Sequence, residues 1–482
     1  MKFNFETTYL NLPKDFYREN RPEKCLAPEL LCFNQSLAEF LELGAFEAEK
    51  DLPLLCGEVS NETARPFSQA YAGHQFGYFN KLGDGRAHVL GEHVTPSGQR
   101  FDIQLKGSGQ TPYSRNGDGR AALAPMLREY LISEAMHHLG IPTTRSLAVI
   151  ATGDVVYREQ PLPGALLVRV ASSHIRVGTF QFAATLRDAH QLRQFADYAI
   201  DRHAPEWQKH KNRYFEFFRK VVKSQASLIA QWMTVGFVHG VMNTDNMSIA
   251  GETIDYGPCA FMNEYDLSTV FSSIDRQGRY AFGRQPEMAS WNLTRLAESL
   301  LPLFSDQQET AIEMANSALK EFEILFHDEW RRGLKNKLGL IGENDGDTEL
   351  INEFLEILQA HRADFTNTFC ELIHWLKGGC LNIESPLQKH DRFKSWLSQW
   401  KKRINEGSDD VVELMQKSNP ALIPRNHLVE AALASASENN DFEPFNSLIK
   451  ALSQPFNHSM VDAKYQQAPG VEFAGYKTFC GT

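Results

Sequence analysis

Hydrophobic periodicity changes character once along this chain, near residue 165, and that change constrains the fold more than any single motif. Residues 60–165 are rich in Gly and Pro and carry short alternating apolar runs, the period-two pattern of half-buried strands. From there to about residue 455, apolar residues recur at helical spacing. Strands followed by helices, rather than alternating with them, predict an α+β chain: a small antiparallel-sheet unit and a large helical unit. At 482 residues several compact units are expected. The signals divide the chain into an N-terminal extension (1–59), the sheet unit (60–165), the helical unit (166–380) and a helical C-terminal region with a flexible tail (381–482).

Charge narrows the classes of partner. With 49 Lys and Arg against 60 Asp and Glu, the net charge is −11, which argues against a general nucleic-acid or anionic-membrane binder. No apolar run reaches the length of a membrane span, and the charged N-terminus lacks a signal-peptide core. The seven cysteines are widely spread with no C-x-x-C pair. That usage fits a reducing compartment, so a cytoplasmic location is expected.

Within the sheet unit, Gly77–Leu82 reads as a strand entering the turn Gly83-Asp84-Gly85. Arg86–Val94 and Arg100–Lys106 follow as second and third strands of an antiparallel meander. On the third strand Phe101, Ile103 and Leu105 share one face, which leaves Lys106 on the other. A helix is predicted from Pro125 to Gly140, with Glu129 in its second turn. A second helix, Tyr214–Thr234, ends at Gly236 and delivers the chain to a loop from His239 to Asn246. Two short runs, Met247–Ile249 and Thr253–Asp255, read as a hairpin leading into Asp255-Tyr256-Gly257. Leu350–Leu376 reads as an amphipathic helix and Pro455–Thr482 as a weakly ordered tail.

The pentamer GDGRA occurs twice, at Gly83–Ala87 and Gly117–Ala121. Glycines let backbone N–H groups approach an anion and Arg adds a fork of donors, so the pentamer suits phosphate; two ordinary tight turns are the plainer reading. The wider series is more specific. A glycine hairpin, a strand Lys, a helix Glu, a His-to-Asn loop after a long helix, and Asp-Tyr-Gly stand in the order of the phosphate-handling parts of protein kinases.

One departure changes the chemistry expected. The position two residues after His239, where a kinase carries its catalytic Asp, holds Val241. Asp245 is the nearest carboxylate and the candidate base, an Asx turn being the local alternative. Asn246 and Asp255 offer hard oxygens for Mg²⁺, with Mn²⁺ as a substitute. Arg169 and Arg176 add positive charge between the two units, where a kinase holds adenine; two surface arginines are the bland alternative.

Four segments resemble the selenoprotein O family, YdiU in bacteria, of kinase-like protein adenylyltransferases: Leu82–Ala87, Gln104–Ala121, Val238–Asn246 and Ile254–Pro258. The resemblance extends over nearly the whole chain. It implies a protein-kinase-like two-lobed fold with a helical C-terminal extension, and transfer of AMP from ATP to hydroxyl side chains of proteins. ATP would lie inverted relative to a kinase. Residue by residue, it implies that Lys106 touches phosphates and pairs with Glu129. Gly83, Gly85, Arg86, Asp118 and Gly119 would line the nucleotide site, and Arg169 and Arg176 would hold the terminal phosphates. Asp245 would accept the proton, with Asn246 and Asp255 as metal ligands. The family also carries a Cys or selenocysteine near its C-terminus, the place of Cys480, which makes it a candidate redox handle. Phe271–Ile274 contains no Cys to partner it although Cys259 lies in that neighbourhood, and an unpaired tail thiol is the plainer reading.

The expected partners are therefore ATP, Mg²⁺ or Mn²⁺, and proteins bearing Ser, Thr or Tyr hydroxyls, without nucleic acid or membrane. Two other readings stay open at this point: a phosphotransferase of small-molecule or protein kinase type, and an ATP-sensing pseudokinase without turnover.

Overall fold

The computed structural model describes residues 1–58, 64–379, 386–404, 409–459 and 461–479. Along these residues the strands are β1 (Phe5–Glu6), β2 (Tyr17–Glu19), β3 (Glu29–Phe33), β4 (Phe67–Gln69), β5 (Ala72–Gln75), β6 (Tyr78–Lys81), β7 (Ala87–Val94), β8 (Arg100–Lys106), β9 (Ala121–Ala122), β10 (Arg145–Tyr157), β11 (Pro161–Ala171), β12 (Phe237–Val238) and β13 (Ala260–Phe261). Nine of them form one antiparallel sheet in the order β2-β4-β7-β8-β11-β10-β3, with β1 added beside β7 and β9 beside β11. The N-terminal 33 residues thus supply three strands to this sheet, and β11 runs through residue 165.

The sheet is covered on both faces. Helices α1 (Gln35–Phe40) and α2 (Ala48–Leu55) bring Leu37, Leu41 and Leu55 against Ile103, Leu105, Leu166 and Val168. On the opposite face lies α3 (Leu123–His138), whose Met126, Leu127 and Leu131 join Val89, Val149 and Leu167 in the main core. The alternation of β8 thereby sends Leu105 into one apolar layer and Lys106 toward α3, as the period of two requires.

The rest is helical: α4 (Val177–Thr185), α5 (Ala189–His203), α6 (Arg213–Val235), α7 (Gln285–Phe304), α8 (Gln308–Lys337), α9 (Asp347–Ala360), α10 (Phe365–Leu376) and further helices to Leu452. Helix α6 runs through the core with Phe217, Phe218, Val222 and Ile229 fully buried. Gly236 ends it at φ +72°, a left-handed cap that suits glycine. No helix among the described residues is long and apolar enough to cross a membrane.

Four local expectations change. The meander is two sheets, because β6 pairs with β5 in a separate two-stranded ribbon, so Gly83–Gly85 joins two sheets rather than two adjacent strands. The hairpin expected at Met247–Asp255 is replaced by bridges outward, from Ser248 to Arg176 and from Thr253 to Thr143. Leu350–Leu376 is two helices broken at His361–Asp364, where Arg362 takes φ +49° and the Asp364 carboxylate caps α10 at Asn367 N–H. The tail is anchored where it is described: Thr478 N–H donates to Phe271 O, and Thr478 O accepts from Ser273 N–H. Cys480 lies outside the described residues.

Candidate active site

The site begins with one carboxylate shared by two cations. Lys106 leaves β8 and Glu129 rises from α3, so that Lys106 Nζ donates to Glu129 Oε2 at 2.6 Å. Arg169, on β11 opposite Gln104 of β8, donates through Nε to Glu129 Oε1 at 2.8 Å. Asp255 closes the cluster, its Oδ1 lying 2.7 Å from Lys106 Nζ and 3.5 Å from an Arg169 guanidinium nitrogen. Lys106, Glu129 and Arg169 are buried while the Asp255 side chain keeps 33% of its surface open. Burial pushes both carboxyls up, but the neighbouring cations outweigh it and hold Glu129 and Asp255 below the usual carboxylate range. Asp255 takes φ +67°, a left-handed conformation that Asp tolerates better than most residues and that marks a constrained position.

Next to this cluster the Gly83-Asp84-Gly85 turn is locked from above. A side chain at Gly83 would strike the Tyr113 ring at 2.4 Å, and its φ is +133°. The turn buries Asp84, whose Oδ2 accepts from Gln69 N–H at 3.1 Å and from Gln104 Nε2 at 3.4 Å. Arg176, immediately before α4, faces Asp84 Oδ1 at 3.6 Å and lies over the Tyr71 ring at 4.4 Å. Arg176 is buried, as Arg169 is, so neither is a surface arginine.

Asp245 occupies a different environment. The loop after α6 is held by His239, whose Nε2 pairs with Ile254 O at 2.9 Å and so fixes the Asp245 loop to the segment carrying Asp255. Asp245 Oδ1 is buried with no hydrogen-bond partner among the described residues, and Gln75 Nε2 reaches Oδ2 at 3.4 Å. Burial pushes this carboxyl up to about 6. The adjoining Asn246 uses its side-chain N–H₂ on Val241 O at 3.1 Å, which leaves its carbonyl oxygen for another partner.

The β5–β6 ribbon packs directly on this loop. His74 N–H donates to Thr244 Oγ1 at 2.7 Å, Phe76 N–H donates to Asn243 Oδ1 at 3.1 Å, and Gly73 leaves room for Asp245. The sequence reading passed over these residues, as it did Asp84 and Gln104. The glycines flanking His74-Gln75-Phe76 were the available signal for a close backbone approach.

A cavity of about 340 Å³ opens beside Lys106 and Asp255 and is walled by Arg86, Pro125, Met126 and Phe479. Its size falls within the range of small-molecule sites. In the second GDGRA turn Asp118 pairs with Arg158 at 2.7 Å while its side chain stays 43% exposed, and Gly119 fits against the Gly109 backbone. Among the described residues no three His, Cys, Asp or Glu side chains converge as a metal cage. Asn246 and Asp255 are the side chains that could hold a cation here, hard-oxygen donors of the kind Mg²⁺ uses together with substrate phosphates.

Comparison with known proteins gives this geometry a family. Residues 1–453 match the family model described as protein adenylyltransferase SelO. The protein nucleotidyltransferase YdiU of Brevibacillus brevis is 53% identical over 487 aligned positions, covering 100% of this chain and 98% of that protein. Its namesakes in Bacillus mycoides and Geobacillus kaustophilus are each 52% identical, covering all of this chain and 98% and 99% of theirs. The chain therefore belongs to the SelO family of protein adenylyltransferases.

Proposed function

We propose that this chain is a two-lobed, kinase-like enzyme that moves AMP from ATP to Ser, Thr or Tyr hydroxyls of proteins, with Asp245 as base. The observation that carries the reading is the contrast between two carboxyl groups. Asp255 is held ionised by Lys106 and Arg169, as a cation ligand must be, whereas Asp245 sits near 6 with a free buried oxygen, as a proton acceptor should. In the reaction the acceptor oxygen bonds to the α-phosphorus, the bond from that phosphorus to the bridging oxygen breaks, and pyrophosphate leaves. The acceptor's proton passes to Asp245.

Two features favour an inverted ATP. The cavity beside Lys106 and Asp255 offers Pro125, Met126 and Phe479 to a nucleoside, while Arg169 beside Glu129 and Arg176 beside Asp84 would supply positive charge to the departing pyrophosphate. Gly83, Gly85 and Arg86, the last a wall of that cavity, would line the nucleotide together with Asp118 and Gly119. Mg²⁺ or Mn²⁺, held by Asn246, Asp255 and phosphate oxygens, would neutralise phosphate charge. A cytoplasmic setting, where ATP is plentiful and free thiols such as Cys25 and Cys259 persist, completes the reading.

Intact mass spectrometry of the enzyme and a seryl protein, after incubation with ATP and Mg²⁺, tests it. An added AMP is expected. An added phosphate would overturn it in favour of a kinase, and ATP binding with no adduct on any acceptor would favour a nucleotide sensor.

A further inference from the structure

The β5–β6 ribbon has one occupied edge and one open edge. Along β5, His74 N–H points outward to Thr244 Oγ1. In an antiparallel pair, residues directly opposite each other turn their N–H and C=O groups both inward or both outward. Phe79 lies opposite His74, and Lys81 opposite Ala72 two residues away, so the backbone groups of Phe79 and Lys81 point outward on the far side of β6. Among the described residues nothing accepts from or donates to them. The strand is exposed throughout, and it carries two aromatic side chains, Tyr78 at 78% and Phe79 at 43% exposure.

Exposed strand edges are ordinarily blunted, because they recruit other chains. This one is bound through its partner strand to the loop bearing Asp245. Asn243 and Thr244 side chains accept from β5 and the following turn, Tyr280 donates its O–H to Asn243 Oδ1 at 2.6 Å, and the Phe76 ring packs on Tyr280. The ribbon is thus a rigid shelf beside the candidate base. Its free edge offers alternating donors and acceptors at the spacing of an extended polypeptide, with aromatic side chains of the kind enriched at interfaces.

We propose that the outer edge of β6 docks the acceptor protein, as an extended segment pairing with Phe79 and Lys81. This rests on the adenylyltransferase reading of the site and adds how the acceptor is held. Two strand spacings, about 10 Å, separate the docked segment from β5. The modified hydroxyl therefore comes from residues beyond the paired stretch, and the same edge accepts Ser, Thr or Tyr because pairing reads backbone rather than side chain.

The test uses the full-length enzyme with casein, a disordered seryl protein, as acceptor. Proline is tolerated at a strand position whose N–H faces solvent, so Phe79→Pro and Lys81→Pro remove the outward donors while sparing the ribbon's own hydrogen bonds. Each is expected to raise the KM for casein about tenfold with ATP affinity unchanged. Amide exchange at Phe79 and Lys81 in the wild type is expected to slow when casein is added. Unchanged KM in both variants, or unprotected amides at saturating casein, overturns the docking edge. Protection of these amides without AMP transfer would instead sink the chemical reading and leave the docking edge standing.

Discussion

Lys106 Nζ lies 2.7 Å from Asp255 Oδ1 and holds that carboxylate while also bonded to Glu129 at 2.6 Å. One ammonium therefore ties the sheet to α3 and to the loop that follows the Asp245 segment. The arrangement balances charge only as a unit: two carboxylates, Glu129 and Asp255, face two cations, Lys106 and Arg169.

Glu129→Gln breaks that balance. Both cations lose the partner that offsets their burial, which costs about 3 kcal/mol when one member of a buried pair is removed. The expected result is a lower urea midpoint with an unchanged m-value, accompanied by weaker ATP binding. A midpoint equal to that of the wild type would show that solvent reaches the cluster.

Asp245→Asn is expected to lower kcat at least about 100-fold while leaving ATP affinity intact. The pH dependence has a definite sign. The base acts only when ionised, and burial has raised its carboxyl to about 6, so wild-type kcat/KM should fall as pH drops through about 6 and level off above it. A profile flat down to pH 5 would assign the proton to another group.

Much of the cluster was legible because short-range periodicity governs it. The period of two on β8 puts Lys106 opposite Leu105, and the helical signal around Leu127 and Leu131 puts Glu129 on α3. What could not be read was contact between distant segments. Nothing near Arg169 indicates that its guanidinium would turn to Glu129, 40 residues earlier, because β11 acquires β8 as neighbour only when the sheet assembles. The same holds for the ribbon: Gly77–Leu82 looks like the first strand of a meander until β5, with its own short alternating run, competes for it. Asp118 shares a pentamer with Asp84, yet Arg158 on the turn after β10 captures it while Asp84 is buried.

Arg176→Met should separate phosphate from nucleoside recognition. The guanidinium lies between Asp84 and Tyr71, and within electrostatic reach of Asp255 and Asp245. Loss of a charge-assisted contact to the terminal phosphates predicts ATP binding weakened about tenfold or more, with adenosine binding nearly unchanged. Titration calorimetry with both ligands measures this directly. Equal weakening of both would contradict the inverted pose.

Asp255→Asn is expected to abolish the gain in ATP affinity that Mg²⁺ provides, since the neutral amide keeps the shape but loses the charge. Calorimetry with and without EDTA reads the effect. Persistence of a Mg²⁺-dependent gain would move the cation to other ligands.

Gly73→Ala probes the seat of the base without changing any titrating group. A Cβ at residue 73 would stand 2.2 Å from Asp245 Oδ1 and 2.9 Å from Asp245 Cβ, so neither a small rotation nor a shift of the carboxylate tip relieves it. Either the ribbon lifts or Asp245 turns toward solvent. In both cases the carboxyl is hydrated, its pKa drops back toward the ordinary range, and the acidic limb of the kcat/KM profile moves to lower pH while kcat falls. Lys106, Glu129 and Asp255 lie outside this contact, so ATP affinity should hold. A variant with wild-type kcat and an unmoved acidic limb would mean that the oxygen beside Gly73 is not the one that takes the proton.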